Sequence, residues 1–93
     1  MLFLLNKTQA ATFDLIRLLG GEEDKEALLV EDAVFYGTDF MLPKLQAAGV
    51  EKVYAAQDAV EQRAIALSSD CEVVDYDQIV DLIMEDHDKV VCL

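Results

Sequence analysis

Short apolar runs and helix-like segments take turns along this chain, and that alternation restricts its fold more than any other feature. Met1-Leu2-Phe3-Leu4-Leu5 contains no polar side chain and stops at Asn6-Lys7-Thr8. A strand wetted on one face alternates polar and apolar residues. One covered on both faces reads as continuous, so this run predicts a strand with helices on either side of its sheet. Thr8 stands where it can cap a helix through Leu19, and Gly20-Gly21 supplies the stop. Phe13, Leu15, Ile16, Leu18 and Leu19 give that helix an apolar surface broader than one stripe, so it is expected to touch more than its own sheet.

The pattern repeats three times. After an acidic loop at 22–26, residues 27–30 predict a second strand that ends at Glu31-Asp32, with Asp32 placed to cap the next helical turn. Residues 33–36 read as a helical turn interrupted at Gly37-Thr38-Asp39. Helix resumes over 40–48, with Pro43 in its first turn and Gly49 past its end, so the second helix is expected to be broken. Residues 52–56 predict a third strand and 71–74 a fourth. Asp58 with Glu61, and Asp75 with Gln78, have the spacing of reciprocal caps at the starts of the third and fourth helices. Tyr76, Ile79, Val80 and Ile83 recur at helical spacing, and 89–92 reads as a short edge strand.

Strands alternating with helices predict an α/β fold of three layers: a mainly parallel sheet of four or five strands with helices on both faces, as one domain over 1–93. In such sheets ligands sit beyond the carboxyl ends of the strands, at the point where the strand order reverses. That edge is expected to be built from Asn6, Lys7 and Thr8, then Glu31 and Asp32, then Gln57 and Asp58.

Ninety-three residues leave no room for a second core, yet 54% of them are hydrophobic. Soluble domains typically reach about 45–50% with glycine counted in. Apolar surface should be left over, and an oligomer would cover it. Nineteen acids against seven Lys and Arg give a net charge of −12. Such a field repels phosphate backbones and anionic lipid, so no direct nucleic-acid or membrane partner is expected. The five-residue run at the start has no basic lead-in and is too short for a leader, and no run approaches a bilayer span, so a cytoplasmic location is expected.

Several tenants of α/β sheets are excluded by missing residues. No glycine follows the first strand, which removes phosphate loops and dinucleotide fingerprints, and no cofactor is expected. The first strand ends in Asn6-Lys7 and not in the clustered acids of a receiver domain, and there is no Cys-x-x-Cys pair. His87 lies between Asp86 and Asp88 and reads as a surface imidazole at a helix end. Consecutive helical residues diverge, so no metal site is assigned.

The residues at the element ends resemble the DsrH/TusB family, the small subunits of DsrEFH and TusBCD sulfur-transfer complexes. The resemblance is carried by Asn6-Lys7-Thr8, by the run from Leu28 to Val34, by Val53-Tyr54-Ala55 with Asp58 and Arg63, and by Val74-Asp75-Tyr76-Asp77 through Val80-Asp81-Leu82 to His87-Asp88-Lys89-Val90. It implies a cytoplasmic oligomer with DsrE/TusD-like and DsrF/TusC-like subunits, with a DsrC/TusE-like sulfur carrier as a further partner. That assembly would pass persulfide sulfur toward the wobble uridine of tRNA or through sulfur oxidation.

Three departures stand out. Ala33 replaces the family's usual glycine, Leu93 its usual terminal Trp, and the cysteine that some members carry near the end of the first helix is absent from Leu18-Leu19-Gly20-Gly21. Sulfur relay needs an accessible thiolate. Cys71, between Asp70 and Glu72, is expected to be a core thiol of raised pKa. Cys92, penultimate and expected to be accessible, is the candidate sulfur carrier. Arg63 and Lys7 would offset charge beside a persulfide or an acidic partner, or form ordinary surface ion pairs. Three functions therefore stay open: a non-catalytic subunit, a sulfurtransferase using Cys92, and a homo-oligomeric module for a small anion.

Overall fold

A computed structural model describes residues 1–8, 11–21, 24–84 and 89–93. The elements run β1 (Leu2–Leu5), α1 (Ala11–Gly20), β2 (Lys25–Leu29), a 3-10 helix (Glu31–Gly37), α2 (Leu42–Ala47), β3 (Val50–Ala56), α3 (Gln57–Arg63), β4 (Cys71–Val74), α4 (Tyr76–Met84) and β5 (Val90–Cys92). The five strands form one sheet in the order β4-β3-β2-β1-β5, and every neighbouring pair is parallel. This is the predicted α/β architecture, with the sheet wholly and not just mainly parallel.

The strand order dictates the layers. Each of the first three connections steps to the adjacent strand, so right-handed crossovers stack their helices on one face. The fourth passes β3, β2 and β1 to reach β5, which puts α4 on the other. Side-chain alternation matches. Phe3, Leu5, Ala27 and Leu29 pack with Ile16, Val34, Leu42 and Leu45 on the first face, while Leu2, Leu28 and Val74 pack with Leu82 of α4 on the second. With both sides covered, β1 can be apolar at every position.

Local chemistry sets the element ends. Pro43 lies in the first turn of α2, and Gly49, at φ +98°, lets the chain turn directly into β3. Asp75 and Gln78 form the predicted reciprocal cap, each side-chain oxygen accepting the other's backbone N–H at 2.9 Å. The cap expected of Asp58 and Glu61 is not formed. β3 runs into α3 without a loop, so the helix starts at Gln57, two residues earlier than a cap at Asp58 would set it, and Asp58 Oδ1 accepts from the N–H of Ala59. Asp32 does not cap its helix either: residue 30 holds that position with no side-chain cap, and Asp32 binds Arg63 instead. The broken second helix is borne out, its first half being a 3-10 turn. The Thr8 cap of α1 involves residues outside those described.

Lys25 departs from expectation, having read as part of an acidic loop. It opens β2 and is 7% exposed, its ammonium donating to the carbonyl of Gly21 at 2.7 Å. Its stem fills the space a side chain at residue 20 would need, since a Cβ on Gly20 would lie 2.2 Å from Lys25 Cε. The ammonium thus sits at the carboxyl end of α1, where the helix dipole favours a cation.

Candidate functional site: a groove at the carboxyl edge of the sheet

Strand ends bring together some of the residues singled out in the sequence. A groove of about 800 Å³ opens at the carboxyl edge, within the layer that holds α1, α2 and α3. Its polar lining is Thr8, Asp32, Lys44 and Arg63. Its apolar walls come from Phe13, Phe35, Tyr36, Met41 and Ile65. Phe13 and Tyr36 meet edge to face with centroids 5.2 Å apart, which fixes the inner wall.

Arg63 organises the polar end. Its Nε and Nη2 both donate to Asp32 Oδ1, at 3.1 and 3.0 Å, and Nη2 lies 3.6 Å from a carboxylate oxygen of Glu31. Nη1 donates to the Ala59 carbonyl at 3.4 Å, tying the guanidinium back to its own helix. The acids are mostly exposed, so these pairs orient the side chain more than they stabilise the fold.

Glu31, one of the two successive acids beside this guanidinium, adopts φ +52°. A non-glycine residue there carries strain of about 1–3 kcal/mol, a cost that clusters at functional sites. Ala33 is fully buried and does not have positive φ, so replacing the family's usual glycine brings no backbone strain at that position.

The other candidates lie apart from the groove. Asn6 and Lys7 are exposed on the loop after β1 and do not line it. Asp58 lines a smaller cleft of about 400 Å³ with Glu61, Asp75 and Tyr76. Cys92 is exposed on β5, in register with Leu4 and on the α4 side of the sheet. The strand order reverses between β1 and β5, yet the groove lies over the ends of β1 to β3, so the large opening is displaced from the reversal point. His87 and its flanking acids lie outside the described residues.

Cys71 is buried, and burial pushes its thiol up to about 11; desolvation is the cause, where the sequence suggested the neighbouring acids. Its sulfur packs so closely on Gly37 that a Cβ there would lie 2.9 Å from it.

Phe35, Met41, Lys44 and Ile65 carried no sequence signal of their own as site residues. Phe35 and Met41 flank the Gly37-Thr38-Asp39 interruption, and that break was the trace they left. Chemically the groove offers an apolar surface beside one carboxylate, two cations and the hydroxyls of Thr8 and Tyr36.

Among the described residues no helix is long and apolar enough to cross a membrane. No curated protein matches the chain. The sequence profile of one family, described as DsrH like protein, matches residues 8–90, nearly the whole length. The chain belongs to the DsrH family, and its general role is that of a subunit in a sulfur-relay complex.

Proposed function

We propose that residues 1–93 act as one DsrH-type domain, a non-catalytic subunit that joins DsrE/TusD-like and DsrF/TusC-like chains in a cytoplasmic oligomer. The assembly supports persulfide transfer, toward the tRNA wobble uridine or through sulfur oxidation. The observation that carries this reading is the apolar surface left outside the fold. Leu15, Leu18 and Leu19 are exposed on α1, with Leu18 at 78%, while Tyr76, Val80 and Met84 form an i, i+4, i+8 stripe on α4. Apolar surface of this kind marks protein contact sites. The thiol inventory agrees: the end of α1 has no cysteine, and a thiol with a pKa of about 11 is almost wholly protonated at neutral pH. Affinity capture of the tagged chain from its own cell extract should bring down DsrE-like and DsrF-like chains in stoichiometric amounts; elution as a lone monomer would overturn the proposal.

The exposure of Cys92 favours a second reading, in which this chain carries sulfur itself. The Cys92 thiolate would attack the outer sulfur of a donor persulfide. The donor's S–S bond breaks as the new one forms, the donor departs as a thiolate, and no net oxidation occurs. Intact mass after treatment with a persulfide donor should then rise by one sulfur atom, in the Cys71→Ser variant as in the parent chain but not in Cys92→Ser. An adduct that survives in Cys92→Ser removes the cysteine from consideration.

A further inference from the structure

The groove at the carboxyl edge has the properties of a small-molecule site, and they narrow its ligand. Its volume of about 800 Å³ is within the roughly 300–1,000 Å³ usual for such sites, and its walls are mainly apolar with a few convergent polar groups. Phe35 is 52% exposed, and with Met41 and Ile65 it offers aromatic, thioether and aliphatic surface that suits a flat ring.

The charged groups that line it differ in what they already bind. Asp32 already receives two N–H groups from Arg63 on one oxygen, so its charge is offset inside the groove. Lys44 lies 5.3 Å over the Phe40 ring, and among the described residues it makes no ion pair. The groove therefore has a cation to give and an acid already spoken for, which selects a carboxylate over an ammonium. A net charge of −12 disfavours polyanions and leaves a monoanion as the fitting class.

We propose that this groove binds a small aromatic monocarboxylate, its ring on the Phe35, Met41 and Ile65 surfaces and its carboxylate on Lys44. The site does not depend on the assembly reading, and a failed titration would leave the affinity-capture result untouched.

The test is a nuclear magnetic resonance titration of the full chain with 3-phenylpropionate, using 3-phenylpropanol as the uncharged probe. Saturable shifts at Phe35, Met41 and Lys44 are expected with the acid, and the alcohol should bind about tenfold more weakly. Lys44→Gln should bring the acid down to the alcohol's affinity and leave the alcohol unchanged. Lys44 is exposed, so that variant should keep the parent spectrum. Equal affinities for acid and alcohol, shifts gathered on Leu18 or Met84, or no saturation at all would each overturn the proposal.

Discussion

Leu18→Asp is expected to abolish co-elution of this chain with its partner subunits while costing its own fold no more than about 1 kcal/mol, the penalty of an acid in the last turn of α1. Leu18 is 78% exposed on α1, so its side chain supplies almost nothing to the chain's own core. If a partner covers that face together with Leu15 and Leu19, a buried, unpaired carboxylate at its centre loses the apolar contact and adds a desolvation cost. Central interface residues often account for 2 kcal/mol or more, so the loss of affinity should reach roughly a hundredfold or beyond. Leu18→Arg separates burial from charge: it makes the chain less acidic, yet it should fail as fully. Size-exclusion chromatography of the reconstituted complex reads both variants. Retention of the complex by either one would move the interface away from α1.

Phe3→Ala is expected to cost about 3–5 kcal/mol of folding free energy. Phe3 has no exposed surface; its strand is hydrogen-bonded on both sides, with Phe3 in register with Ala27 and Val91. Its side chain enters the cluster that α1, the 3-10 helix and α2 build over the sheet. Total stabilities of small domains are only about 5–15 kcal/mol, so this one truncation removes a large share. For a domain of this size the melting temperature should fall by roughly 12 °C or more. Urea unfolding gives the same quantity from the shift in midpoint. Leu4→Ala is the internal control: Leu4 is partly exposed on the opposite face and should cost less. A loss below about 1 kcal/mol for Phe3→Ala would contradict the central place of β1.

The parts of the fold that could be read from the sequence are those fixed by neighbours along the chain. β1 was legible because five apolar residues in a row admit few environments, and β4 because its four residues lie between the starts of the third and fourth helices. The Asp75–Gln78 cap was legible because both partners lie within one helical turn. Asp58 and Glu61 have the same spacing and were misread. What decides that case is whether a loop separates the helix from the strand before it, and β3 leaves none.

The site was only half legible, for a related reason. Asp32 and Arg63 were recognisable as polar residues near strand ends, but their pairing spans 31 positions. The apolar walls come from α1, the 3-10 helix and the segments around α2 and α3, and each such residue by itself looks like ordinary core. Lys25 was missed because burial of a lysine depends on two glycines, Gly20 and Gly49, that leave it space, and Gly49 lies far along the chain in the turn before β3. No periodicity encodes that arrangement.

The placement of β5 beside β1 has a consequence for biosynthesis. The amide of Leu2 donates to the carbonyl of Lys89 and the amide of Leu93 to that of Leu4, so the first of the five strands to be synthesised bonds on one side to the last. Until that final segment emerges, the nascent chain presents an apolar strand with an open hydrogen-bonding edge, the kind of surface that recruits chaperones or mispairs with a neighbouring chain. Completion of the sheet therefore depends on its most non-local pairing, which forms more slowly than local helix or strand structure.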